Sequence, residues 1–119
     1  MPVLTVKGMP SDVKMGGLLC SLQSSAGCIL RIPGNDVSVF FPADLVQEGL
    51  GEELVCVVDG LFEKPERTPE LREIMASAIK STLVAFATEH LSQCCKVEVI
   101  VNRFNQDVDG FAVWERPKN

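Results

Sequence analysis

The chain has no tyrosine, one tryptophan and one histidine in 119 residues. The lone His90 leaves little with which to complete a zinc site. Its five cysteines, Cys20, Cys28, Cys56, Cys94 and Cys95, form an odd set without Cys-x-x-Cys spacing. They read as reduced thiols buried as small apolar groups. The adjacent pair Cys94-Cys95, at the start of a strand, reads as structural rather than redox-active. No stretch approaches the roughly 20 apolar residues of a membrane span, and no Pro, Gly or Ser run is long enough to be a linker. Basic residues are outnumbered 11 to 16, for a formal charge of −5, which works against nucleic acid and anionic lipid as partners. Met1 to Lys7 lack the basic and long apolar regions of a secretory signal, so the expected location is the cytoplasm.

What remains is the composition of one globular domain over residues 1–119, with 46% apolar and 23% charged residues. Pro2 to Lys7 alternates as a strand does, and Gly8 with Pro10 stops it. Ser11 is a candidate cap for a first helix, whose apolar set Met15, Leu18, Leu19, Leu22 and Ala26 shares one face; Gly27 suits its C-terminal cap. Gly16 and Gly17 each cost about 1 kcal/mol against alanine inside a helix, so they mark either a late start or a close approach to another backbone. After a turn at Pro33-Gly34-Asn35, Val37 to Phe41 reads as a strand halted by Pro42, and Leu54 to Val58 as a third strand. The connection through Glu48, Gly49, Gly51, Glu52 and Glu53 is polar and carries no phosphate-binding pattern.

Thr68 ahead of Pro69 is a strong helix start. Leu71, Ile74, Met75, Ala78, Ile79, Thr82, Ala85 and Phe86 follow on one face, with Glu73, Ser77, Lys80 and Thr88 opposite. Val97 to Val101 is a fourth strand, and Phe111 to Trp114 a short edge strand. The order predicts an α+β fold: two β-α-β halves forming a four-stranded mixed sheet with two helices on one face. The strands are apolar on both sides, so the open face of the sheet calls for burial against other subunits.

Asn105 to Gly110 imitates the opening of a calcium loop, but its twelfth position is Arg116 where a bidentate glutamate is needed, and a strand rather than a helix precedes it. It reads as an Asx-rich turn. No metal site and no hydrolytic triad can be assembled from the remaining residues.

With Met-Pro at the start, two β-α-β halves in this length and a Gly-containing aromatic tail, nearly the whole chain resembles the tautomerase superfamily, closest in size to its macrophage migration inhibitory factor branch. The resemblance implies a homotrimer with sites at subunit boundaries, no cofactor, and Pro2 as catalytic acid or base once Met1 is lost. A free secondary amine in an apolar pocket near cations is tuned to move protons near neutral pH. The competing reading is that Pro2 only begins a strand, and a retained Met1 would leave it an amide without basicity. Substrates implied by the resemblance are small 2-keto or unsaturated carboxylic acids. For the carboxylate it suggests Arg31, and Arg67 and Arg72 at the start of the second helix, each of which is otherwise a solvated surface charge. By strand matching, Leu61 would offer a backbone N–H and Asn102 a side chain, while Phe111 and Trp114, with Phe104, would wall the pocket or fill a core or interface. The absence of tyrosine and of Cys-x-x-Cys removes any tyrosine or dithiol role. The alternative function is a non-catalytic interaction or structural protein on the same fold; a ligand-sensing ferredoxin-like domain shares the order of elements with a different strand arrangement.

Overall fold

The computed structural model describes residues 1–45 and 48–117. Its elements run β1 (Val3–Lys7), α1 (Gly16–Leu30), β2 (Ser38–Phe40), β3 (Glu53–Phe62), α2 (Pro69–His90) and β4 (Lys96–Phe104), with a single 3-10 turn at Gly34–Asp36 before β2. The sheet order is β2-β1-β3-β4. β1 and β2 are parallel, β3 and β4 are parallel, and β1 meets β3 antiparallel. Each half is therefore a strand, a crossover helix and a parallel partner, as the sequence predicts, and the order is not that of a ferredoxin-like sheet.

Alternation along the strands sets the core. Leu4 and Val6 of β1, and Leu54, Cys56, Val58 and Leu61 of β3, are buried beneath the helices. Leu18, Leu22 and Ala26 of α1 and Met75, Ile79, Leu83 and Ala87 of α2 close over them. Ser25 and Thr82 join the two helices by a 3.0 Å hydroxyl contact. Cys56 is the cysteine inside this core, and burial pushes its thiol up from an ordinary 9.0 to about 12. The expectation of buried thiols fails for the others: Cys20, Cys28 and Cys95 are exposed and Cys94 half-buried, because they lie on the outer helix surface and in the turn before β4. Lys96, which opens β4, pairs with Glu98 at 2.6 Å and Glu53 at 3.8 Å, and these carboxylates raise its pKa.

The two helices begin differently. Thr68 Oγ1 accepts from the Leu71 N–H at 3.1 Å, with Pro69 in the first turn, a cap worth about 1 kcal/mol. α1 starts late, at Gly16, without any side-chain cap, and Ser11 is not its N-cap. A Cβ at Gly16 or Gly17 would meet nothing within 4 Å, so late start rather than close packing explains the pair. The helix also runs past Gly27 and ends on Arg31 in the left-handed conformation, φ 58°, with the Ile32 N–H returning to the Gly27 carbonyl. On α2 the buried stripe is the strict i+4 series from Met75 to Ala87; Ile74 and Ala85, expected inside, are exposed. The helix presents a narrower face than the sequence suggests, because only this stripe joins the core formed with the sheet and α1.

On the open face, register aligns Phe40, Thr5, Val57 and Ile100 in one row across all four strands. Phe40 is 57% and Ile100 45% exposed, so an apolar band crosses the uncovered side. Beyond β4, Asn105 Oδ1 accepts from the Asp107 N–H and Asp109 Oδ2 from the Asn105 N–H, the Asx turn the sequence predicts. Phe111 to Trp114 form no strand and have no ladder partner among the described residues. In place of the expected edge strand the chain is irregular there.

Candidate active site at the Pro2 end of the sheet

The strand directions decide which residues share an end. β1 and β2 both start where β3 and β4 finish. Pro2, the α1 C-terminus with Arg31, the end of β3 with Leu61, the approach to α2 with Arg67 and Arg72, and Asn102 late in β4 therefore gather at one end of the domain. Their positions in the chain span 101 residues, and only this topology brings them together.

Pro2 is buried, while Met1 is 62% exposed. The Pro2 carbonyl accepts from the Ser38 N–H at 3.1 Å, which fixes the start of β1 against β2. The Ser38 hydroxyl donates to Met1 Sδ at 3.2 Å. With Met1 attached, the Pro2 nitrogen is a tertiary amide.

Two clefts hold the arginines. Arg31 and Arg67 line a cavity of about 480 Å³ between the ends of the helices, with Ile29, Leu30, Ile32, Lys64, Glu66 and Leu71. Arg67 and Arg72 line a second of about 520 Å³, with Arg103, Lys64, Glu63 and Asn105 among its walls. Arg67 is thus common to both, and Pro2 lines neither. One nitrogen of Arg67, in the loop, and one of Arg72, in the first turn of α2, are already engaged: Arg67 Nη1 donates to the Phe62 carbonyl at 2.9 Å and Arg72 Nη1 to the Arg67 carbonyl at 2.7 Å. These bonds hold both guanidinium groups in place and leave further donors on each. Arg31 is exposed at the helix end.

The remaining expected residues separate. Leu61 puts its side chain in the core. The Asn102 amide donates to Asp59 Oδ1 at 2.9 Å. Phe111 packs edge-on to Phe62, centroids 5.0 Å apart, and lies 6.0 Å from Phe104. Trp114 is 72% exposed and stacks with Arg116 instead, 5.4 Å from its guanidinium carbon, so the structure brings Phe111 to the aromatic cluster and not Trp114. Among the described residues no three His, Cys, Asp or Glu side chains come together as a metal cluster, and no helix is long and apolar enough to cross a membrane.

Sequence reasoning passed over Ser38, Asp59, Gly60 and Phe62. A signal was present: Asp59-Gly60 interrupts an otherwise apolar strand, and a glycine there marks a bulge or a close backbone approach. Both occur. The ladder shifts between Val58 and Leu61, and Gly60, at φ 72°, lies against Met1.

No family model matches the chain, and no curated protein matches it. Solved structures do. A fused 4-OT, described as an asymmetric trimer, superimposes with a TM-score of 0.65 at 13% identity, over 92% of this chain and 91% of that one. Pt0534 inactivated by 2-oxo-3-pentynoate gives 0.64 at 20% identity, over 93% and 90%. FG41 malonate semialdehyde decarboxylase inhibited by 3-bromopropiolate gives 0.58 at 15%, over 95% and 91%. At these identities the likeness is one of architecture, and it extends over nearly the full length on both sides: the chain has the fold of the 4-oxalocrotonate tautomerase-like proteins.

Proposed function

We propose that removal of Met1 frees the Pro2 amine and that the protein isomerises a small 2-keto or unsaturated carboxylic acid, with Pro2 moving the proton at carbon. The observation that carries this reading is the convergence of Pro2 and three arginines on one end of a tautomerase-like sheet. A secondary amine is the basic group that such a terminus supplies without any cofactor. The arginines supply planar forks for a carboxylate. Arg67 is the preferred anchor, because it is held by the Phe62 carbonyl and faces both clefts; Arg31 and Arg72 are the flanking cations. The Leu61 N–H and Asn102 contribute polar contacts, and Phe111 apolar wall.

The active form in this reading is a homotrimer in the cytoplasm. Its support is the apolar row from Phe40 to Ile100 on the open sheet face, together with the trimeric state given for fused 4-OT structures. A neighbouring subunit would also enclose Pro2, which lines neither cleft of a single chain.

The second reading is a non-catalytic interaction protein on the same fold. It is favoured by one observation, the contact between the Ser38 hydroxyl and the Met1 sulfur, which ties down the residue that catalysis needs removed. Intact mass of untagged protein separates the two: loss of Met1 keeps the catalytic reading, and full retention leaves no free amine. Turnover of an enol acid that is unchanged in Pro2→Ala would also end it.

A further inference from the structure

The turn between α2 and β4 carries two adjacent cysteines that the proposed function does not use. At the level of sequence Cys94-Cys95 reads as structural, yet in the fold Cys95 is exposed and Cys94 half-buried. Strand alternation would send neighbouring side chains to opposite faces. The pair precedes β4, which begins at Lys96, so alternation does not govern it. Both residues line one cleft of about 280 Å³, which Val84 and Ala87 of α2, Leu91 and Val97 also wall.

Hydrogen bonds aim the two sulfurs at the same strand end. Cys95 Sγ donates to the Glu52 carbonyl at 3.3 Å and Cys94 Sγ to the Lys96 carbonyl at 3.6 Å. Glu53, next to Glu52, is the ladder partner of Lys96, so both acceptors stand where β3 and β4 begin. The backbone of the pair is fixed as well: the Cys94 N–H reaches the Leu91 carbonyl at 3.0 Å and the Cys95 N–H the Glu52 carbonyl at 2.8 Å. The other cysteines are placed differently. Cys56 is inside the core, and Cys20 and Cys28 are more than two turns apart on α1, about 12 Å along its axis.

Adjacency decides what kind of bond the pair can make. Neighbouring Cα atoms lie about 3.8 Å apart, short of the roughly 4.4–6.8 Å of relaxed disulfides. A bond between Cys94 and Cys95 is therefore strained, and a strained, exposed disulfide is readily reduced. Such a bond is suited to opening and closing rather than to holding the fold.

We propose that Cys94 and Cys95 are a reversible thiol–disulfide exchange site for a small disulfide of the glutathione kind. The site lies at the end of the domain away from Pro2 and does not depend on the reading of Pro2. The exposed Cys95, as thiolate, attacks one sulfur of glutathione disulfide, forming a mixed disulfide and expelling one glutathione thiolate. The Cys94 thiolate then attacks Cys95 Sγ and expels the second. The protons of the two cysteines go to the two departing thiolates; the cysteine pair loses two electrons and the glutathione disulfide gains them. Closure withdraws both S–H groups from the Glu52 and Lys96 carbonyls, so the join of β3 and β4 loosens at its first rung.

Intact mass of the whole chain, folded and incubated with glutathione disulfide, tests this. The wild type should lose two hydrogens, peptide mapping should place the bond between Cys94 and Cys95, and dithiothreitol should restore the starting mass. Cys94→Ser should stop at a glutathione adduct on Cys95, and Cys95→Ser should lose no hydrogens. Far-UV circular dichroism verifies that both variants are folded. Amide deuterium exchange at Lys96 and Val97 should be faster in the oxidised wild type than in the reduced one; equal exchange overturns the loosening of β4. A wild type that does not react, stops at the adduct, bonds either cysteine to Cys20 or Cys28, or closes a bond that dithiothreitol cannot open in the folded protein overturns the inference. None of these results bears on Pro2.

Discussion

Gly60 and Met1 are packed so closely that a methyl group on Gly60 would press on the Met1 carbonyl oxygen, 2.6 Å away. The glycine also has φ 72°, a conformation that costs an L-residue about 1–2 kcal/mol. Gly60→Ala should therefore destabilise the fold by about 1–3 kcal/mol and push the first residues off β3. Urea unfolding measures the first effect. The second needs Met1 in place and would show as faster deuterium exchange of the β1 amides in protein whose mass retains Met1.

Arg31 offers the opposite case. It is the one non-glycine residue at positive φ among those described, at the place where helices favour glycine. Arg31→Gly is expected to raise stability by about 1 kcal/mol while raising KM for a carboxylate substrate about tenfold. Arg31→Ala should raise KM alike without the gain in stability. If KM is unmoved in both, Arg31 is not a flanking cation of the site and the carboxylate rests on Arg67 with Arg72.

Cys56 makes stability depend on alkaline pH. Its folded value is raised to about 12 from 9.0, so folded and unfolded chains are both protonated below pH 9 and the contribution is complete there. Above that, the unfolded thiol ionises while the buried one does not. Stability is lost as pH rises from about 9 toward about 12. Cys56→Ala or Cys56→Val should flatten the alkaline limb of a urea-midpoint profile. In the folded wild type, Cys56 should be the slowest cysteine to react with a thiol reagent.

Ile100 closes the apolar row of the open sheet face. If that row is the subunit interface, Ile100→Glu places a charge where none can be solvated and the assembly should fall to monomers, seen as a change in sedimentation coefficient at unchanged helix content. A trimer that survives Ile100→Glu would move the interface elsewhere.

Much of this architecture was readable from residue order. The Val/Thr alternation of β1, the Thr68-Pro69 start of α2 and the apolar runs of β3 and β4 are local signals, and each element stands where they put it. The failures share a cause. Ser11 has the chemistry of a cap, yet α1 begins at Gly16, and Ile74 has the spacing of a core residue but lies outside the buried stripe of α2. Phe111 to Trp114 have strand composition without a strand to pair with. Partners distant in sequence decide all three. At the site, Pro2 and the arginines could be named from their chemistry and the resemblance. The Asp59–Asn102 pair could not, because it depends on a one-residue slip between β3 and β4.

The unequal length of the two outer strands has a kinetic consequence. β2 has three residues, hydrogen-bonds to one neighbour and leads from a helix without a side-chain cap, whereas β4 has nine residues and leads from a capped one. The halves match in topology but not in holding strength. Amide protons of β2 and the first turn of α1 should exchange with deuterium through small openings that leave β3, β4 and α2 closed. The Ser38 N–H, which anchors Pro2, belongs to the looser half.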